Sequence, residues 1–124
     1  MYIAIDFDGT CVTHEYPEVG KDIGAVPVLK RLVDAGHKLI LNTMRSGKEL
    51  TDAVNWFMDN KIPLYGANIN PTQKRWTDSP KVYAQLYIDD AALGCPLIGN
   101  PGGRPYVDWE AVEVYLENMC ILNE

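Results

Sequence analysis

Short apolar runs alternate along the chain with stretches of helical period, and the strongest runs end in polar residues. The first run, residues 2–5, leads directly into Asp6, Phe7, Asp8, Gly9 and Thr10. An apolar run of this length bounded by turn-forming residues predicts a buried strand. Similar runs predict three further strands at residues 39–41, 62–67 and 85–88, of which the run at 62–67 is the weakest.

Apolar stripes of helical period predict the helices. The first is predicted over 27–35, with Pro27 as its first residue and Gly36 as its stop. The second follows Ser46, which forms a predicted capping box with Glu49. Its apolar positions, which predict the buried face, are Leu50, Ala53, Val54, Phe57 and Met58.

The last helix is predicted to begin after Asp108 as its N-cap. Residues 94–105, which are rich in Gly and Pro, are predicted to be a loop. The inward face of the last helix is predicted to comprise Trp109, Val112, Tyr115, Leu116, Met119 and Cys120.

This alternation of strands and helices predicts an α/β fold, with a three-layer, doubly wound, mainly parallel sheet and helices on both faces. The 124 residues are sufficient for one domain spanning 1–124. Sheets of this kind bind ligands at the carboxyl ends of their strands. The predicted strand ends carry Asp6 and Asp8, then Thr43, then Asp89 and Asp90.

Composition narrows the classes of partner and compartment. A formal charge of −6 disfavours nucleic acid, because affinity for a polyanion depends largely on Lys and Arg. No stretch is apolar enough to predict a membrane span or a signal peptide. The three cysteines lack the spacing of a zinc site or a disulfide framework, which favours reduced thiols and a cytoplasmic location.

Asp6 and Asp8 form a pair of acids that side-chain alternation places on one side of the strand end, with Phe7 on the other. Two carboxylates this close repel unless a cation lies between them or one is protonated, so the pair predicts a metal ion, a raised pKa, or both. An EF-hand is excluded, because the positions that require Gly and Glu hold Cys11 and Pro17.

The ordered set of motifs resembles the haloacid dehalogenase superfamily of phosphatases. The resemblance rests on the D-x-D-G-T sequence that starts at Asp6, then Thr43, Lys81, and the pair Asp89 and Asp90. It spans roughly residues 1–90 and implies a Rossmann-like core. The loops at the two usual insertion points, 10–27 and 67–81, are short, which predicts a protein without a cap domain.

The resemblance also implies a mechanism. Asp6 would attack phosphorus to form an aspartyl-phosphate, and Asp8 would act as general acid and base. Mg²⁺ would be held by Asp6, the backbone carbonyl of Asp8, and Asp90, with Asp89 supporting the ligands from behind. Thr43 and Lys81 would bind the phosphate oxygens. An acid at position 8 favours phosphatases and mutases over the dehalogenase and ion-pump branches.

Several alternatives remain open from the residues alone. Lys74 lies near Lys81 and is the other candidate for the phosphate lysine, and either Asp89 or Asp90 could be the direct metal ligand. A small phosphorylated metabolite is the expected substrate, with a homo-oligomer supplying a lid. The rival functions are a receiver-type phosphoacceptor module, disfavoured because its adjacent acids come first in the chain, and a phosphotransferase or mutase with the same site.

Overall fold

A parallel sheet forms the centre of the protein, in a computed structural model that describes residues 1–123. Its strand order is β3-β2-β1-β4, and every neighbouring pair is parallel. The elements in chain order are β1 Tyr2–Ile5, α1 Ala25–Asp34, β2 Lys38–Leu41, α2 Gly47–Asp59, β3 Gly66–Ala67, a 3₁₀ turn Gln73–Arg75, β4 Leu86–Ile88, β5 Leu97–Ile98, β6 Tyr106–Val107 and α3 Trp109–Asn118.

One face of the sheet carries the main hydrophobic core. Ile3 and Ile5 of β1 and Leu39 and Leu41 of β2 point to this face, because alternate residues of a strand share a side. α1, α2 and α3 all contribute to the same core, through the buried side chains Val28, Leu29, Leu32, Ala53, Trp56, Phe57, Trp109, Val112 and Leu116. The helical stripes of the sequence therefore meet the apolar strands on a common surface.

The opposite face of the sheet has a smaller apolar cluster, formed by Ala4, Ile40 and Val82. Val82 belongs to the segment between β3 and β4, which crosses this face and contains the 3₁₀ turn. The α/β prediction is confirmed, and the helical layer on this second face is reduced to that short turn. Buried Gln73 holds the segment together, since its amide donates to the carbonyls of Ser79 and Lys81 and accepts from the N–H of Tyr83.

Two of the predicted strand and loop assignments are corrected. The third strand is limited to Gly66–Ala67 instead of 62–67, where Ile62 is buried but unpaired with the sheet. The predicted loop 94–105 contains β5, which pairs antiparallel with β6 outside the main sheet. Both elements are two residues long, too short for alternation to distinguish them from a turn.

The helix starts confirm one predicted cap and correct two details. The Asp108 side chain accepts from the N–H of Ala111, as expected of an N-cap. Ser46 occupies the N-cap of α2 but its side chain makes no capping bond, so the predicted capping box with Glu49 does not form. α1 begins at Ala25, which places Pro27 within the first turn, where its missing N–H costs no intrahelical bond.

Some side chains predicted to face inward lie on the surface. Tyr115 of α3 and Met58 of α2 are each more than half exposed, as is Met119, the residue after α3. Cys120 follows in an exposed position with positive φ. The core needs only the narrow stripe Trp109, Val112 and Leu116 from α3. The three cysteines are free thiols. Among residues 1–123, no helix has the length and apolar character that crossing a bilayer requires.

Candidate functional site

The register of the sheet brings three chain segments to one edge. The N–H of Asp6 donates to the carbonyl of Ile88 at 3.0 Å, and the N–H of Asn42 donates to the carbonyl of Ile5 at 2.8 Å. Residues following β2, β1 and β4 therefore leave the sheet side by side, about 5 Å apart from strand to strand.

The turn after β1 depends on glycine. Gly9 has φ +79°, a left-handed conformation that side chains disfavour. A Cβ at this position would lie 1.9 Å from His14 Nε2 and 2.6 Å from Asp90 Oδ2. Gly9 is thus required both for the backbone turn and for the close approach of His14 and Asp90.

Carboxylates from both ends of the sequence meet beyond this turn. One oxygen from each of Asp6, Asp89 and Asp90 lies within 4.8 Å of the others, a spacing that a single metal ion can bridge. This group of residues is called the acid cluster below. Asp89 was expected to contact the ligands rather than the ion, but it contributes an oxygen to the group just as Asp90 does.

Thr10 joins the two halves of the acid cluster. Its side chain is fully buried, and its hydroxyl donates to Asp6 Oδ2 at 2.8 Å while accepting from the N–H of Asp90 at 3.0 Å. The Thr10 carbonyl accepts from the indole N–H of Trp109 at 2.7 Å, which anchors the turn to α3. Sequence reasoning included Thr10 in the motif but gave it no role in the site.

Asp6 lies in an environment that disfavours its negative charge. Burial, together with the neighbouring carboxylates of Asp90 and Asp89, raises its pKa from 3.8 to about 8, against the opposing effect of the Thr10 hydrogen bond. Within residues 1–123, neither Asp6 nor Asp89 forms an ion pair with Lys or Arg. The sequence predicted a raised pKa from repulsion between Asp6 and Asp8, but the carboxylates that contribute to the shift are those of Asp90 and Asp89, and burial is its largest cause.

His14 closes one side of the acid cluster. Its Nε2 lies 2.8 Å from Asp90 Oδ2, and both side chains are mostly buried. The local sequence gives no sign of this contact, because the two residues are 76 positions apart.

Asp8 has different neighbours from Asp6. Its two carboxylate oxygens accept from Arg45, at 2.8 Å from Nε and 2.7 Å from Nη2, and its side chain is not part of the acid cluster. Arg45 is almost completely buried, with 2% of its surface exposed. β1 ends at Ile5, so strand alternation does not govern the direction of Asp8.

Thr43 lies at the end of β2 in a partly buried position. Its N–H donates to Asn68 Oδ1 at 2.8 Å, and its hydroxyl oxygen accepts from the N–H of Arg45 at 3.1 Å. Among residues 1–123 the Thr43 hydroxyl donates to no protein acceptor, so its proton can be donated to a ligand at this edge of the sheet.

Neither candidate lysine contacts the acid cluster. The ammonium of Lys81 lies 5.5 Å from the centroid of the Tyr87 ring, and within the described part of the chain it forms no ion pair. Lys81 is exposed and lies in the segment before β4. Lys74 lines a groove of about 500 Å³ that begins at Asn68 and is also lined by Thr77, Ser79 and Val82.

The parallel sheet, its packed helices and the polar strand ends define the class of the protein, an α/β protein with a Rossmann-like core. A conserved protein from Bacteroides thetaiotaomicron has a solved structure that matches this chain with a TM-score of 0.79 and 36% sequence identity, covering 96% of this chain and 91% of that chain. The chain belongs to the same family as this conserved protein. No family model and no curated protein matches the chain.

Proposed function

We propose that the chain is a magnesium-dependent phosphomonoester hydrolase that acts through an aspartyl-phosphate on Asp6. The observation that carries this proposal is the acid cluster itself: Asp6, Asp89 and Asp90 within 4.8 Å of one another, with no Lys or Arg of residues 1–123 paired to Asp6 or Asp89. Such an arrangement is costly without a cation. The resemblance of the motifs to haloacid dehalogenase phosphatases supports the same reading.

The donor set fits Mg²⁺. It consists of carboxylate oxygens, which hard divalent cations prefer, with no thiolate in the cluster. Asp6, Asp89 and Asp90 would hold the ion, with the backbone carbonyl of Asp8 as the further ligand that the resemblance implies. When bound, Mg²⁺ neutralises negative charge between the nucleophile and the phosphate.

The reaction would proceed in two displacements. In the first, a carboxylate oxygen of Asp6 bonds to phosphorus as the bond to the leaving oxygen breaks, and Asp8 supplies that oxygen with a proton. In the second, Asp8 takes a proton from water as the water oxygen bonds to phosphorus and the Asp6–phosphorus bond breaks. The free hydroxyl proton of Thr43 would donate to a phosphate oxygen.

The groove that begins at Asn68, which is not lined by Thr43 or by the acid cluster, is the candidate site for the organic part of a small phosphorylated substrate. Its volume of about 500 Å³ is in the range of small-molecule sites, and Asn68 links its wall directly to Thr43. Lys74 would bind an acidic or hydroxyl group of the substrate from this groove. That Lys81 binds the phosphate stays a prediction, because its side chain would have to move away from the Tyr87 ring to reach the phosphate.

Turnover of 4-nitrophenyl phosphate tests the chemistry directly. We expect release of nitrophenol in Mg²⁺, none in chelator, and a loss of at least about 1,000-fold in Asp6→Asn, since a nucleophile has no substitute. Asp59→Asn, which alters an exposed acid at the end of α2, is the matched control and should retain wild-type activity. Equal activity in Asp6→Asn would refute the nucleophile. Stable phosphorylation without turnover would instead favour the receiver-type module.

A further inference from the structure

Arg45 is a buried arginine whose hydrogen-bonding capacity is fully used. Its Nε and one Nη2 proton bind the two oxygens of Asp8. The second Nη2 proton binds the carbonyl of Glu18 at 2.7 Å, and Nη1 binds the carbonyls of Pro17 and Glu49, each at 3.2 Å. A guanidinium has five N–H groups, so none remains for a substrate phosphate.

Aromatic rings also enclose the guanidinium. Its central carbon lies 5.0 Å from the centroid of Phe7 and 5.2 Å from that of Tyr16. Arg45 therefore connects three separate parts of the chain: the turn after β1, the loop 15–18 and the first turn of α2. An arginine used in this way orients other groups instead of binding substrate.

We propose that Arg45 is a positioning residue that assigns different roles to the acids of the site. By holding both oxygens of Asp8, it keeps this side chain out of the acid cluster and fixes its orientation, while Asp6, Asp89 and Asp90 are left to the metal ion. This inference rests on the proposed function. It goes further by explaining how two acids separated by one residue can have separate tasks.

The geometry requires arginine in particular. Asp8 is held by two parallel N–H bonds from a planar fork, and lysine offers a single nitrogen that cannot reproduce them. Arg45→Lys keeps the positive charge and most of the volume but loses the fork. It is therefore the variant that separates orientation of Asp8 from burial of a charge.

Mg²⁺ affinity, measured by isothermal titration calorimetry, tests the inference without relying on turnover. Releasing Asp8 in Arg45→Gln would let its carboxylate approach the ion, so we expect binding at least about threefold tighter than wild type. Adding Asp8→Asn should abolish that gain. An unchanged or weaker Mg²⁺ affinity in a folded Arg45→Gln would overturn the proposal. If Arg45→Gln does not fold, the Mg²⁺ affinity of Arg45→Lys, which also loses the fork, is measured instead.

Kinetics supply a second test on 4-nitrophenyl phosphate. Misplacement of Asp8 in Arg45→Lys should lower kcat about 10- to 100-fold with little change in KM, because Arg45 has no free donor for the phosphate. The double variant Asp8→Asn/Arg45→Lys should be no slower than Asp8→Asn alone. Additive losses, or a raised KM with unchanged kcat, would contradict a positioning role.

Arg31→Lys is the matched control. Arg31 also forms ion pairs, with Glu113 and Glu117, but it lies between α1 and α3. The Arg31→Lys substitution should change neither the Mg²⁺ affinity nor kcat. Absence of turnover in the wild type would refute the proposed hydrolase while leaving the calorimetric result on Arg45 readable.

Discussion

Asp6 and Asp8 follow the same strand and are separated by one residue, yet their electrostatic environments are opposite. Asp8 has a guanidinium partner that accounts for both of its oxygens. Asp6 has the Thr10 hydroxyl as a hydrogen-bond donor and two further carboxylates nearby, and burial raises its pKa to about 8. One acid is neutralised by the chain itself, and the other is not.

This difference arises from residues distant in the sequence. Arg45 reaches Asp8 from the segment after β2, whereas Asp89 and Asp90 reach Asp6 from the segment after β4. The chain therefore provides a cation for Asp8 but surrounds Asp6 with further acids. This arrangement favours binding of an external cation beside Asp6. Each prediction below tests whether the two environments are as different as the geometry indicates.

The largest expected effect is on stability when the Asp8 partner is removed. Arg45→Met should lower the free energy of unfolding by about 4 kcal/mol, because it leaves Asp8 and several carbonyls without their donors. Urea denaturation at neutral pH measures this. Arg31→Met, which breaks partly exposed ion pairs, should lower the free energy of unfolding far less. Equal losses in the two variants would mean that the burial of Arg45 adds nothing.

The raised pKa of Asp6 predicts how stability depends on pH. Between its ordinary value of 3.8 and about 8, the folded chain holds a proton on Asp6 that the unfolded chain has lost. The metal-free protein should therefore lose stability as pH rises through this range, by at most about 1.4 kcal/mol per pH unit from this group. From pH 5 to pH 7 that amounts to about 2.7 kcal/mol at most.

Asp6→Asn isolates this contribution from the other acids of the chain. Urea denaturation in chelator at pH 5, 6 and 7 should show a shallower decline of stability with pH in Asp6→Asn than in wild type. Parallel curves for the two proteins would show that Asp6 has the same affinity for protons in the folded and unfolded states, and the contrast with Asp8 would then fail.

Much of the fold and the acid cluster was predictable from local sequence. Apolar runs located β1 and β2, and the acids after β1 and β4 had to converge because parallel strands end at one edge of a sheet. The N-cap at Asp108 was also readable, since it depends only on neighbouring residues.

The environment of Asp8 could not be predicted in the same way. Arg45 is buried under a distant loop, and it donates to the carbonyls of Pro17 and Glu18, which are 28 and 27 positions away. Nothing periodic in the sequence encodes such contacts. Ser46 shows the same limit locally, because a capping box requires a side-chain orientation that the pattern does not specify.

A smaller effect is expected in how much Mg²⁺ stabilises variants of the two acids against unfolding. At ten times its Kd, Mg²⁺ should raise the free energy of unfolding of the wild type by about 1.4 kcal/mol. Asp8→Asn should retain this stabilisation, because its side chain lies outside the acid cluster, and Asp6→Asn should lose most of it. Thermal or urea denaturation with and without Mg²⁺ measures both. Loss in Asp8→Asn alone would reverse the proposed division of roles.

The smallest expected effect comes from the one hydroxyl that favours charge on Asp6. Thr10→Val removes the donor to Asp6 and the acceptor of the Asp90 N–H at nearly constant volume, and should cost about 1 kcal/mol. The Thr10 hydrogen bond lowers the pKa of Asp6, so its loss should raise that pKa further. The decline of metal-free stability with pH should then extend to higher pH. The exposed Thr51→Val, whose hydroxyl binds only a carbonyl of its own helix, should change neither quantity. An unshifted pH profile in Thr10→Val would show that burial and the neighbouring acids set the environment of Asp6 without help from this turn.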